Sequence, residues 1–243
     1  MSMPLIGCFA CDGVTPPIAE REFGKVFPAC HCGRDGELGA MTEFNCPNCG
    51  AGLPVALKSI RQMSCSSCGT SVFLSAGQAL AAGDSGVMHD APLLFHLDDQ
   101  VVVEGVALHI LGHARFSYGR GTWDEFWAVA PDEARYWLSV DEGDVILQSR
   151  IPGDLAPVIA GWPRLGAEFA HKGRNYTATE TSEAECIAVR GSFDERIAVG
   201  DRQRYVNLQG PDGLLLSLEQ DEDGETWFQG RWLDPFEIAG RQT

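Results

Sequence analysis

From about residue 97 onward, apolar and polar side chains alternate in short runs, and no stretch sustains the three-to-four spacing of a capped amphipathic helix. In "VVVEGVALHILGHARFSYGRGTWDEFWAVA" the alternation predicts strands, with Val102, Val106, Leu108 and Ile110 on one face. Gly112 and the pair Gly119 and Gly121 punctuate this run as bulge or turn. "ARYWLSVDEGDVILQSRI" predicts two strands about an Asp-Glu-Gly-Asp turn. Upstream, "LSAGQALAAGDSGVMHDAP" at 74–92 is rich in Gly, Ala and Ser. It suggests a linker with a short helical turn over 78–82.

The β pattern occurs twice. "FWAVAPDEARYWLSVDEGD" at 126–144 parallels "YVNLQGPDGLLLSLEQDED" at 205–223, a separation close to 79 residues. Each copy runs from an aromatic strand through a Pro-Asp turn to a strand ending in Leu-Ser-aliphatic-acid, then an acidic turn. The expected fold is mainly β: small zinc-ribbon-like modules in tandem, then a duplicated antiparallel β domain with barrel- or sandwich-like units. The divisions are 1–43 for a first cysteine module, 44–75 for a ribbon, 76–96 for a linker and 97–240 for the β domain. Its units break near residue 160.

Eight of the nine cysteines precede residue 70. Cys46-x2-Cys49 and Cys65-x2-Cys68 lie fifteen residues apart, a spacing suited to one tetrahedral zinc held by four thiolates. Gly50 and Gly69 follow the second cysteine of each pair, where φ > 0 lets the backbone wrap the sulfurs. A redox pair would stand alone beside a βαβ pattern. Cys8, Cys11, Cys30 and Cys32 form a weaker second set, with His31 an alternative ligand and exchange of ligands between the clusters another. Two structural Zn²⁺ ions are expected. Sites filled by four cysteines are closed, so catalysis at the metal is not expected.

Net charge is −16, and nearly all of the excess falls after residue 83. Such a surface repels a phosphate backbone, and the ribbon offers only Lys58 and Arg61. Nucleic acid is therefore disfavoured. No apolar run suits a membrane span and the N-terminus carries no secretory pattern, so a cytoplasmic location is expected. His109 and His113 sit four apart on a strand, too far apart to share a metal. Cys186 suits a core position, and the neighbours Asp124 and Glu125 point to opposite faces. The acidic run from Glu219 to Glu225 suits a solvated hairpin turn, with cation binding as its alternative. All six tryptophans lie in the β half. One left exposed beside acids would suit an organic cation.

Several short motifs, Trp123-Asp124-Glu125-Phe126, Trp137-Leu138-Ser139-Val140-Asp141, Gly173, Tyr176, Glu180, Gly191, Gly200-Asp201, Tyr205 and Leu216-Ser217-Leu218-Glu219, together resemble the bacterial domain of unknown function 4178 family. The resemblance covers roughly residues 97–238. A leading ribbon of the "CPNCGAGL…CSSCG" type also fits that family, whereas the cluster at Cys8 to Cys32 departs from its simplest form. The resemblance implies no catalytic set. It suggests an accessory role beside membrane-remodelling or polyamine-linked proteins. The expectation is a non-enzymatic zinc-binding adaptor with a protein partner. The alternatives are an enzyme with a cleft between the β-units and a nucleic-acid-binding ribbon.

Overall fold

A computed structural model describes residues 44–89 and 92–241. The first cysteine module, with Cys8, Cys11, Cys30 and Cys32, lies outside them. Strands dominate, and all sheet pairings are antiparallel. The ribbon comprises β1 (Phe44–Asn45), β2 (Gly52–Leu53), β3 (Gln62–Ser64), β4 (Ser71–Ser75) and β5 (Gln78–Gly83). Strand β5 occupies the stretch where the sequence suggests a helical turn. Ala76 and Gly77, at φ 46° and 81°, fold the chain back on β4, and ladder pairing decides the conformation of an alanine-rich segment with little preference of its own.

The β domain contains β6 (Gln100–Val103), β7 (Val106–Ser117), β8 (Thr122–Val129), β9 (Arg135–Asp141) and β10 (Asp144–Arg150). It continues with β11 (Glu168–His171), β12 (Arg174–Phe193), β13 (Arg202–Gln209), β14 (Leu214–Gln220), β15 (Glu225–Leu233) and β16 (Ala239–Arg241). Four strands, β7 to β10, form one meander, and β12 to β15 form another. The meanders join at both edges, β10 to β15 and β7 to β12. The result is one closed ring of eight strands in the order 7-8-9-10-15-14-13-12. The two repeats are thus half-barrels, and closure removes the open edges each would have alone. The repeat is visible in the ladder. Val129 and Arg135 close one hairpin, and Gln209 and Leu215, each 80 residues on, close the other.

Glycine permits both seams. A Cβ on Gly112 would stand 2.5 Å from the Phe193 ring, and one on Gly230 would stand 2.4 Å from the Leu147 carbonyl. Gly112 also follows a bulge in β7, as its place in the sequence suggests. The single face expected for Val102 with Val106, Leu108 and Ile110 is not formed. Val101 and Val103 are buried whereas Val102 is exposed, because Glu104 and Gly105, at φ 49° and 80°, make a tight turn that resets the alternation between β6 and β7.

Outward-facing residues are also covered. Phe126 meets Phe95 edge-on, and Val206, Leu208, Leu216 and Leu218 pack with Trp162 and Phe169 from the segment that crosses between the meanders. The ribbon seats on the far end of β12, where Ser192 and Phe193 pair with Met63 and Gln62. Gln62 is the joint. Its buried amide donates to the Ile197 carbonyl at 2.8 Å and accepts from the Ile197 N–H at 2.7 Å, completing a ladder step with a side chain. Arg190 adds bonds to the Ser85, Gly86 and Val189 carbonyls and pins the chain leaving the ribbon.

Candidate functional site

The two ribbon knuckles are built alike. In each, the first cysteine N–H bonds a carbonyl five residues on, and the following glycine N–H returns to that cysteine's carbonyl. Gly50 and Gly69 stand at φ 75° and 72°, which only glycine adopts without strain. The four sulfurs of Cys46, Cys49, Cys65 and Cys68 lie within 4.8 Å of one another and can hold a metal ion. The Thr70 hydroxyl and N–H favour the Cys68 thiolate and lower its pKa to about 6. At Cys49 the Ala51 backbone bond lowers the pKa, but the Cys68 thiol and burial outweigh it and push it to about 12. Cys46 and Cys65 are buried, and Leu53, Ile60, Met63 and Val72 pack around the group.

The second candidate is the barrel lumen. Strands turn alternate residues inward, and the inward set differs in kind from the outward set. Phe126, Leu138, Leu147, Leu216 and Leu218 face out. Their neighbours Glu125, Trp137, Ser139, Gln148, Ser217 and Glu219 face in. At the ribbon end the lumen is a cavity of about 400 Å³ bounded by Phe73, Ile197, Asp201 and the acidic turn Asp221 to Asp223. It narrows inward to a section of about 80 Å³ that reaches Asp144 and Trp232. Both sections share Glu125, Gln148, Gln203 and Glu219.

Among the described residues the inner section is lined by five acids, Glu125, Asp141, Asp144, Glu180 and Glu219, and by no basic residue. Glu180 is satisfied, taking bonds from the Tyr205 hydroxyl and the Asn207 amide, each at 2.9 Å. The others are not. Glu125 is 8% exposed and accepts from Trp123 at 3.0 Å and Ser139 at 3.3 Å, both on Oε1. Among the described residues nothing donates to its Oε2 or to either oxygen of Glu219, and Asp141 Oδ1 is buried without a partner. Burial pushes the Glu125 pKa up to about 7. Burial, then the charges of Glu125 and Glu195, raise Glu219 well above the usual carboxylate range. Asp141 is raised by burial and by Glu142 and Glu180. Arg150, Arg196 and Arg202 line the mouth, where Arg150 pairs with Glu195.

Aromatic rings form the rest of the wall. Trp123 meets Tyr205 edge-on at 5.4 Å across the lumen and stacks on Phe116 at 5.3 Å. Trp232, 39% exposed, closes the far section beside Asp144. It is the exposed tryptophan beside acids that the sequence could not single out.

The other residues weighed from sequence are dispersed. His113 bonds Asp124 at 2.6 Å on the outer face and stacks on Phe126, while His109 lies by Asp98. Asp124 also takes two bonds from Arg115 and holds its pKa low against the cost of burial, while Glu125 points into the lumen. Cys186 is fully buried, and burial raises its thiol to about 12. In the acidic run, Asp221 accepts from the N–H groups of Asp223 and Gly224, as a hairpin turn requires. Only Glu219 of that run reaches the inner section. Glu125, Ser139, Asp141, Glu180, Ser217 and Glu219 all stand in the motifs that carry the family resemblance, but sequence reasoning did not bring them together as one site. The available signal was polar residues alternating with leucines in β9 and β14, which marks a shared face without saying what that face meets.

Among the described residues no helix is long and apolar enough to cross a membrane. The family model described as domain of unknown function (DUF4178) matches residues 96–235. No curated protein and no solved structure matches the chain.

Proposed function

Because the chain belongs to the DUF4178 family, whose matched span is the barrel itself, we propose that its function is binding in the barrel lumen and that the ribbon is a clip that holds one end of it. The guest is a small positively charged molecule, and the protein is a non-enzymatic accessory that retains or presents it. The observation that carries this reading is the inner lumen: five acids, aromatic walls and no base. Unneutralised carboxylates in a confined space repel one another and are costly to bury, and a cation beside aromatic faces relieves both penalties.

The clip is a zinc site in this reading. A tetrahedron with Zn–S bonds of about 2.3 Å has edges of about 3.8 Å, and the pairs Cys46–Cys68 and Cys49–Cys65 stand at 3.7 Å. Four thiolates leave no open position, so the ion would supply folding energy and no chemistry. The ribbon also provides the surface on which a protein partner would dock.

One observation favours a second reading. A carboxylic acid with a pKa near 7 in a cavity is the kind of group that serves as a general acid or base. Cys186 lies outside the lining of the lumen and is held as a thiol, so it would not be the nucleophile in that reading.

Titration of organic cations, anions and neutral analogues while following the fluorescence of Trp123 and Trp232 tests the proposal. Saturable change with cations alone, weakened in Glu125→Gln, is expected. A response confined to anions or neutral molecules would overturn it. Turnover of a bound molecule that stops in Glu125→Gln would establish the second reading instead.

A further inference from the structure

We propose that the guest of the lumen is a slender, linear organic dication, an α,ω-diammonium chain lying along the barrel axis. The inference rests on the cation-binding reading above and adds the shape and charge spacing of the ligand.

Three features of the lumen lead there. The first is width. An eight-stranded barrel is just wide enough for its own side chains or for one small ligand. Here Trp123 and Tyr205 already touch across it, so the remaining passage suits a chain rather than a bulky head.

The second is where the unused acceptors stand. Strands β8 and β14 are four steps apart either way around the ring of eight, so Glu125 and Glu219 face each other across the diameter. Asp141 is on β9, where Val140 pairs with Asp124. This sets Asp141 level with Trp123, two residues along the strand from Glu125. Two residues of strand span about 7 Å. The free oxygens thus form two levels along the axis, one at Glu125 and Glu219 and one at Asp141.

The third is that these acids do not converge. Among the described residues, the four ribbon cysteines are the one group of three or more candidate ligands close enough to share an ion. A single metal ion would leave one level unpaired. Two ammonium groups joined by a short alkyl chain match both levels, and the chain between them runs past Trp123 and Tyr205, where its methylenes lose water against rings. Glu180 is already bonded and frames the far level rather than anchoring it.

The raised carboxylates add a second readout. Glu125 is faced by Glu219, Tyr205 and Asp141 within the lumen and by Glu195 and Arg150 toward the mouth, with Ser139 and Trp123 donating to it. A dication settling between Glu125 and Glu219 favours their charged forms, so where Glu125, raised to about 7, still holds a proton, binding releases it and weakens on acidification.

Calorimetric titration of the metal-loaded full chain with a series of α,ω-diaminoalkanes tests this, with n-butylamine, tetramethylammonium and Ca²⁺ as comparisons. The expected result is a preference of roughly tenfold or more for a diamine of matching length over butylamine. Asp141→Asn, which removes the far level, should erase that preference while leaving butylamine binding nearly intact, Glu219→Gln should weaken butylamine and the diamines alike, and the heat should vary with buffer ionisation enthalpy near pH 6.5. Equal affinity for butylamine and the diamines, or tightest binding of tetramethylammonium, would overturn the diammonium inference but leave a cation-binding lumen. Tightest binding of Ca²⁺ would overturn it in favour of a metal site. Absence of binding by every cation would overturn both.

Discussion

The ribbon and the barrel carry their chemistry in opposite ways. In the ribbon, four ligands come from two short runs of sequence, and each knuckle is complete within six residues. In the barrel, no two of the acids Glu125, Asp141, Glu180 and Glu219 share a strand, and they become one site only when the two meanders close. A local site is strongly marked in sequence because its spacing is fixed by the turn that makes it. A site assembled by closure has no spacing to read. The conspicuous site here is therefore the local one, while the acids of the lumen are spread over the strands.

The difference can be broken most forcefully at the metal. Chelation, or Cys65→Ser, should melt the ribbon, since metal binding supplies on the order of 10 kcal/mol to the folding of such modules. Hydrogen exchange should show protection lost over 44–83 while β8 to β10 and β13 to β15 keep theirs. Simultaneous loss across the barrel would mean that the ribbon is part of the barrel's core and not a clip on it.

The adjacent pair Asp124 and Glu125 gives a sharper contrast. The folded pKa of Glu125 is raised, so the stability it contributes is fully present below the unfolded value of about 4.5 and is lost as pH rises through about 7. Glu125→Gln should remove that slope and stabilise the protein at pH 8 by roughly 3 kcal/mol. Asp124, held below its normal value by His113 and Arg115, does the reverse: its stability is present at neutral pH and lost in acid. Asp124→Asn should destabilise by roughly 1–3 kcal/mol at pH 7. Denaturant melts at several pH values measure both. Slopes of the same sign would show that the two faces do not differ as described.

A smaller effect is expected at the joint. Gln62→Ala leaves the Ile197 N–H and carbonyl without their partner and should cost about 2 kcal/mol, with faster exchange of the Ile197 amide. The smallest should come from Cys186→Ala, about 1 kcal/mol, with cation binding unchanged.

Much of the fold was legible from residues alone. The turns at Glu142 and Gly143, the bulge before Gly112 and the repeat were marked by glycine, acid and proline positions whose backbone needs are local. What was not legible depends on closure. Nothing in "LLLSLEQ" distinguishes Ser217 and Glu219 facing solvent from the same residues facing a lumen, because period-two alternation is identical in an open sheet and in a barrel with a polar interior. Whether two meanders stack as a sandwich or join as one ring depends on pairings such as Val145 with Leu233 and Cys186 with Phe116, which no short motif encodes. The same reasoning covers β5, whose strand form comes from pairing with β4 rather than from its alanines.

In the proposed reading the lumen, rather than the metal centre or the acidic surface, receives the ligand. The most direct measurement is a crystal structure of the metal-loaded chain grown with 1,4-diaminobutane. Elongated density along the barrel axis is expected, with one ammonium between Glu125 and Glu219 and the other at Asp141. Density confined to the outer acidic turns, or an empty lumen at saturating diamine, would contradict it.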